Sequence, residues 1–223
     1  MTGDGVRAAP EVTGPGADTC VPAPPAATAV FGPALDGARA FARILATRGV
    51  EQGLIGPHEV PRLWDRHLLN CAVVAELIGA RCQTLVDIGS GAGLPGVVLA
   101  MIRPELTVTL LEPMERRCRF LSECVAELGL ANASVLRGRA EDTVLRADVA
   151  TARALAPLDR LAELAVGVVR PGGMVLAAPR LGGRGKVRSF LRLPSCGSSL
   201  DEAGHRWGSA ITRRARRARR RRV

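Results

Sequence analysis

The sequence predicts an α/β domain: a parallel β-sheet with helices on both faces. Three observations carry this. From Thr84 onward, short apolar runs rich in Val and Leu alternate with longer amphipathic stretches. Gly and Pro punctuate that alternation at Gly89, Pro104, Gly129 and Pro171-Gly172-Gly173. The first run leads straight into DIGSGAGLPG (87–96), a strand end, a glycine-rich turn and a helix start in immediate succession.

Each element follows from its local pattern. Residues 1–30 are rich in Pro, Gly, Ala and Thr without periodicity, and are expected to form a disordered leader. In residues 33–48, Leu35, Ala38, Phe41, Ala42 and Leu45 recur at helical spacing. A second helix is expected after Pro61, with Leu63, Trp64, His67, Leu68, Ala72, Val73 and Leu77 as its apolar positions. These two make an N-terminal helical cap over residues 31–80, ahead of a core over 81–179. The core's strands are expected at 84–89, 107–112, 133–138, 147–153 and 174–178. Its helices are expected at 95–102, 114–128 (with Phe120, Leu121, Cys124 and Leu128 on one face) and 158–169, the last ending at Pro171-Gly172-Gly173.

Composition bounds the function. The chain has 223 residues, 47% of them apolar but only 3% aromatic and none Tyr, so the core has to be built from Leu, Val, Ile and Ala. The net charge of +10 is concentrated at one end. From Arg180 onward there are 14 Lys+Arg and 2 Asp+Glu, a net +12, which leaves the preceding body at −2. An affinity for polyanions is therefore a property of the tail, not of the body. Six cysteines without CxxC pairs or metal-ligand spacing, and three scattered histidines, point to free thiols and no metal site. No signal-peptide pattern and no apolar run of membrane-spanning length is present, so the expected location is the cytoplasm.

The glycine-rich turn can be read in two registers. Gly91-Ala-Gly93-Leu-Pro-Gly96 fits the dinucleotide fingerprint GxGxxG, and Gly89-Ser-Gly91-Ala-Gly93 fits a tighter GxGxG loop. Asp87 separates them. A carboxylate just before the turn would repel a pyrophosphate. It would suit S-adenosyl-L-methionine (AdoMet), which carries a sulfonium and an ammonium and no phosphate. Glycines allow the backbone to approach such a ligand closely. Glu112, at the end of the second strand, can accept hydrogen bonds from ribose hydroxyls, as an acidic residue at this place also does in NAD sites. Its plain alternative is a solvated strand end. Ala140-Glu141, just past the third strand, would meet an adenine ring or be an exposed loop. Arg153, at the end of the fourth strand, could hold an RNA phosphate or a cofactor carboxylate, or be a surface arginine. Arg66 and His67 on the cap could meet RNA phosphate, or serve packing between helices.

Together, LWDRHLLNCAVVAELI (63–78), VDIGSGAGLPGVVLAMIRPELTVTLLEPMERRCRFL (86–121), RGRAED (137–142) and TARALAPL (151–158) resemble the bacterial 16S ribosomal RNA guanine-N7 methyltransferases, also called glucose-inhibited division protein B. The likeness runs from about Gly32 to about Ala178. It implies a Rossmann-like, AdoMet-dependent domain that methylates N7 of one guanine in the decoding region of 16S rRNA in the small ribosomal subunit. It assigns cofactor contacts to Gly89, Leu94, Ala140, Glu141 and Arg153, and a monomer is expected. Such chemistry needs no general base, because guanine N7 offers a lone pair without losing a proton.

Past Ala178 the pattern departs from that family. A Lys-Gly pair, a further helix and two closing strands are expected there; residues 180–223 instead read as a basic, disordered tail, with SFLRL as the one apolar patch. An altered reading frame near residues 178–180 would explain the change, and a genuine RNA-binding tail is the rival reading. Without closing strands, the fifth strand would carry an unpaired apolar edge. A small-molecule methyltransferase, a non-catalytic RNA-binding remnant and an NAD-linked oxidoreductase are the competing functions, the last disfavoured by Asp87.

Overall fold

The computed structural model describes residues 21–153, 158–165, 167–178 and 189–192. Among the described residues, six strands form one sheet in the order β3-β2-β1-β4-β5-β6. The strands are β1 (Thr84–Ile88), β2 (Thr107–Glu112), β3 (Ala133–Arg137), β4 (Ala147–Arg153), β5 (Val169–Ala178) and β6 (Ser189–Arg192). The first five are parallel to their neighbours; β6 runs antiparallel to β5. The chain winds outward from β1 through β2 to β3, then returns to lay β4 on the other side of β1. That reversal opens a crevice at the carboxyl ends of β1 and β4, the usual place for a ligand in such sheets.

Helices cover both faces, and each face has its own core. On one face, α4 (Gly96–Ile102) and α5 (Glu115–Glu127) pack with the N-terminal helices, so that Val97, Leu99, Leu110, Phe120 and Leu121 share a cluster with Phe41, Leu63 and Trp64. On the other, α6 (Leu158–Ala165) brings Leu161 and Leu164 onto Val86, Ile88, Leu111 and Ala150. The cap and the core expected as neighbouring units thus share one apolar interior. α4 is buried almost all round because it lies between the sheet and the cap, which accounts for a helix without a polar face.

Helix α2 (Leu35–Ile44) buries Ala38, Phe41, Ala42 and Ile44 and runs on through a π-turn at Leu45–Gly49. The second cap helix is composite: a 3-10 stretch at Pro57–Arg62, a π-turn at Leu63–Leu68, α3 (Leu69–Val73) and a 3-10 turn at Val74–Leu77. These changes of winding rotate the face as it proceeds. Val73 and Leu77, expected inside, are 43% and 39% exposed, while Cys71 and Val74 are buried in their place.

Three expectations are corrected. Helix α1 (Pro25–Phe31) falls mostly within the stretch expected to be a disordered leader. It is held by buried Ala27 and Phe31; the Phe31 ring meets Trp64 edge-on at 6.0 Å, and the Trp64 indole donates to the Val21 carbonyl at 2.9 Å. Helix α6 ends at Ala165, and Pro171-Gly172-Gly173 is an irregularity inside β5, where the register to β4 passes from Ala147↔Val169 to Val149↔Met174. Gly173 allows this, since a Cβ there would lie 2.4 Å from Val169 Cγ1 and 2.8 Å from the Asp148 carbonyl. The edge of β5 is not bare: β6 pairs with it, Met174↔Arg192 through Ala177↔Ser189, so one closing strand lies in the stretch expected to be wholly disordered. The other expectations for 180–223, and those for residues 1–20, fall outside the described residues.

Candidate functional site

The crevice at the β1/β4 reversal is lined by the glycine-rich turn, and two carboxylates build that turn from behind. Asp87, at the end of β1, is 1% exposed. Its Oδ2 accepts the Gly96 amide at 3.0 Å, and its Oδ1 accepts the Thr151 hydroxyl of β4 at 3.1 Å. Burial, with a smaller push from the nearby Glu112 charge, raises its pKa to about 6 against these hydrogen bonds. Glu112, at the end of β2, is also 1% exposed. Its Oε2 accepts the Gly91 amide at 3.0 Å and its Oε1 the Met114 amide at 3.1 Å.

The turn itself needs glycine at particular points. Gly89, Gly91 and Gly93 have φ of 69°, 56° and 86°, the left-handed region. At Gly93 a Cβ would also lie 2.6 Å from Val97 Cγ2. At Gly91, among the described residues, the neighbour within 4 Å would be the Gly89 carbonyl at 3.8 Å, so a Cβ there meets no close contact.

The backbone amides of the turn are spent within the protein. Gly89 and Ser90 donate to the Leu111 carbonyl at 2.8 and 3.2 Å, Gly93 to the Ser90 carbonyl at 2.7 Å, Gly91 to Glu112 and Gly96 to Asp87. A pyrophosphate site needs such amides aimed at the anion. Here five are already engaged, two of them by carboxylates. The surroundings favour a cation over a diphosphate.

Of the remaining expected residues, Leu94 is 8% exposed and Ala140, past β3, is 6% exposed, with Glu141 exposed beside Ala140. Arg153 ends β4 and turns toward the cap: its Nη2 donates to His67 Nδ1 at 2.6 Å and its Nη1 to Cys71 Sγ at 3.5 Å. His67 Nε2 lies 2.9 Å from Glu59 Oε2, and Arg66 Nη1 donates to Glu59 Oε1 at 2.8 Å. Burial first, then the Arg153 charge, lowers the His67 pKa. Burial pushes the Cys71 thiol up to about 11, so it stays protonated beside the guanidinium.

Two expected roles change on this geometry. Asp87 is committed to the fold: one oxygen holds the Gly96 amide at the start of α4 and the other the Thr151 hydroxyl of β4, so it ties β1 to both. His67 is 8% exposed with both ring nitrogens engaged, so it is a link between cap and sheet rather than a phosphate contact. Arg66, with a side chain 28% exposed, spends a guanidinium nitrogen on Glu59. Glu59 and Thr151 were not singled out from the sequence, and Gly96 entered it only as the last glycine of the GxGxxG register. Glu59 precedes its partners by seven and eight residues across a 3-10 to π transition, which no regular periodicity exposes.

The donor set suits AdoMet. Glu112 uses one lone pair on each oxygen and retains capacity for ribose hydroxyls. A Cβ on Gly91 would meet no close contact among the described residues. Among the described residues no group of His, Cys, Asp and Glu could hold a metal ion, and no helix is long and apolar enough to cross a membrane.

Residues 35–179 match the family described as rRNA small subunit methyltransferase G. The chain is similar to proteins named ribosomal RNA small subunit methyltransferase G from three organisms. It is 55% identical over 161 residues to that of Frankia alni (70% of this chain, 61% of that one). It is 58% identical over 154 residues to that of Thermobifida fusca (68% and 65%), and 54% over 175 residues to that of Salinispora tropica (73% and 72%). The chain thus spans less than two thirds of the length of the first two. With the family match extending from α2 to the end of β5, the chain belongs to the rRNA small subunit methyltransferase G family.

Proposed function

We propose that this chain binds AdoMet in the β1/β4 crevice and methylates N7 of a guanine in the decoding region of 16S rRNA, in the cytoplasm and on the small ribosomal subunit. The observation that carries the reading is the turn whose amides are already engaged, two of them by the buried Asp87 and Glu112, so that the crevice suits a sulfonium and not a diphosphate. Family membership supports rRNA as the substrate class.

Gly89, Gly91 and Gly93 let the backbone approach the methionine portion, Glu112 accepts from the ribose, Leu94 and Ala140 enclose the adenine with Glu141 at its edge, and Arg153 takes the cofactor carboxylate. Bound AdoMet supplies an electrophilic methyl carbon on a cationic sulfur. The protein's part in transfer is to hold guanine N7 in line with that carbon, which is catalysis by proximity and orientation. No side chain has to remove a proton, because N7 attacks through an in-plane lone pair. His67 has both nitrogens engaged and is not positioned as a base.

The test is transfer of label from radiolabelled AdoMet to small subunits lacking this modification, with the methylated base identified by nuclease digestion. Label on guanine N7 of 16S rRNA is the expected result. AdoMet binding without transfer to RNA would leave a non-catalytic remnant or a small-molecule methyltransferase in its place.

A further inference from the structure

We propose that Glu59 is a positioning residue for the cofactor site, acting through the imidazole of His67 to fix the guanidinium of Arg153 at the rim of the crevice. The inference rests on the reading of Arg153 as a cofactor contact and names the residues that aim it.

Hydrogen-bond chemistry fixes the direction of the contacts between these three side chains. Arginine has donors only. The 2.6 Å contact between Arg153 Nη2 and His67 Nδ1 therefore requires a lone pair on Nδ1. In a neutral imidazole the hydrogen then sits on Nε2, and Nε2 lies 2.9 Å from Glu59 Oε2, an acceptor. The chain carboxylate, Nε2–H, Nδ1, guanidinium is consistent in direction throughout. Reversing the histidine tautomer would break it at both ends, setting a donor against Arg153 and a lone pair against the Glu59 carboxylate.

The surroundings make this arrangement specific. The charged and titratable groups facing His67 are Glu59 and Arg66 from the cap, Arg153 from β4 and, across Arg153, the Cys71 thiol of α3. Two guanidinium groups oppose a charged imidazole, and burial opposes it further. Glu59 divides its oxygens, Oε1 to Arg66 and Oε2 to His67, so its orientation is held from a second side. A stabilising ion pair with Arg66 alone would not need the second oxygen on a buried ring. The same ring joins the cap to the end of β4, linking the helical layer to the crevice.

The test uses the whole chain and two independent readouts. The first is the side-chain nitrogen spectrum of protein labelled with 15N-histidine. In the wild type, His67 is expected to show an unprotonated Nδ1 and a protonated Nε2; in Glu59→Ala the two tautomers are expected to mix. The second is AdoMet affinity by calorimetry. Glu59→Ala is expected to weaken it about tenfold, the scale of one hydrogen bond to a charged group. Glu59→Gln, whose amide oxygen still accepts from Nε2–H, is expected to restore it to within about twofold. Arg153→Lys is expected to weaken binding, and adding Glu59→Ala to it to cost little more, since the two act in series. A protonated Nδ1 in the wild type overturns the proposal, as does wild-type affinity in Glu59→Ala or an additive double variant. If Glu59→Ala does not fold, the wild-type tautomer and Glu59→Gln still decide. Wild-type protein that binds no AdoMet while showing the expected tautomer overturns the proposed function and, with it, the role assigned to this relay.

Discussion

Asp87 and Gly96 are joined across the glycine-rich turn: the carboxylate that ends β1 accepts the first amide of α4 at 3.0 Å, in a place 1% exposed to water. The turn is thus closed by a strand end and a helix start that hold each other, and the ligand-facing side is left to glycine backbone. A helix N-terminus stabilises a negative charge placed there. Burial still outweighs that gain, since the Asp87 pKa rises to about 6.

Asp87→Asn tests that balance. The amide oxygen can accept from Gly96 and the amide nitrogen can face the Thr151 hydroxyl, so the shape of the closure is retained without a buried charge. With a folded pKa of about 6 against an ordinary 3.8, native wild type binds the extra proton. Its Asp87 contribution is fully present below 3.8 and is lost as pH rises through 6. The variant lacks that loss. Relative to wild type it is expected to gain stability between about pH 4 and pH 7. Urea unfolding of both proteins at the two pH values measures it; a variant whose relative stability falls toward pH 7 contradicts the assignment.

Gly96 and Gly91 separate crowding from backbone conformation. A Cβ on Gly96 would lie 2.4 Å from Leu110 Cδ2 and 2.6 Å from Asp87 Oδ2, so Gly96→Ala has to push α4 off the sheet. A cost of about 2–3 kcal/mol is expected, as for overpacking elsewhere. Gly91→Ala meets open space and suffers only from its φ of 56°, worth about 1–2 kcal/mol. Denaturant midpoints rank the two, and the reverse order would show that the closure yields more easily than its distances indicate.

Much of this was legible in the sequence, for reasons visible in particular residues. β1, β2 and β4 lie where the apolar alternation put them, because strands buried on both faces write themselves as runs of Val, Leu and Ala. The place of Glu112 beside the glycine turn was legible because an acid at a strand end, one crossover after that turn, is a positional signal. The direction of Asp87 was not, because a sequence places a carboxylate at a turn without saying which of two sides it faces. Helix α1 was missed because Pro, Ala and Thr look like a linker until Phe31 meets Trp64, a contact across more than thirty residues. The Pro171-Gly172-Gly173 break read as a helix stop because those residues interrupt helices and strands alike; only the register against β4 distinguishes the two.

Asp148 is expected to secure the sheet at the end opposite the crevice. Its Oδ2 accepts the Gln83 and Thr84 amides at 2.8 and 3.0 Å and the Thr84 hydroxyl at 3.1 Å, and its Oδ1 takes Arg170 Nε at 2.5 Å. Desolvation works against the charge, yet these donors together hold the pKa at about 2. A folded value below the ordinary 3.8 gives stability that is present above 3.8 and lost as pH falls toward 2. Asp148→Ala is expected to cost about 2–3 kcal/mol at neutral pH, the scale of hydrogen bonds to a charged group. The gap from wild type should close as pH falls below 4. AdoMet affinity at neutral pH should stay within about twofold, since the contact lies at the far end of β1; a large loss of affinity would tie this anchor to the crevice after all.

Glu112 should show the opposite division. Its two oxygens pin Gly91 and Met114 from behind while the same carboxylate is assigned to the ribose. Glu112→Gln keeps one acceptor and turns an amide N–H toward the other backbone donor, so one of the two bonds must be given up. Faster hydrogen exchange at the Gly91 or the Met114 amide is the expected mark. Glu112→Ala should speed both. Because the residue is 1% exposed and its loss leaves the Gly91 and Met114 amides without their acceptor, a stability loss of about 2 kcal/mol is expected for the alanine variant. Affinity for AdoMet should fall further than stability alone accounts for, since both the loop and the ribose contact go. If exchange at Gly91 quickens but affinity is unchanged, Glu112 is a brace for the turn and the ribose must be held elsewhere; if affinity falls while both amides stay protected, it contacts the ligand without bracing the turn.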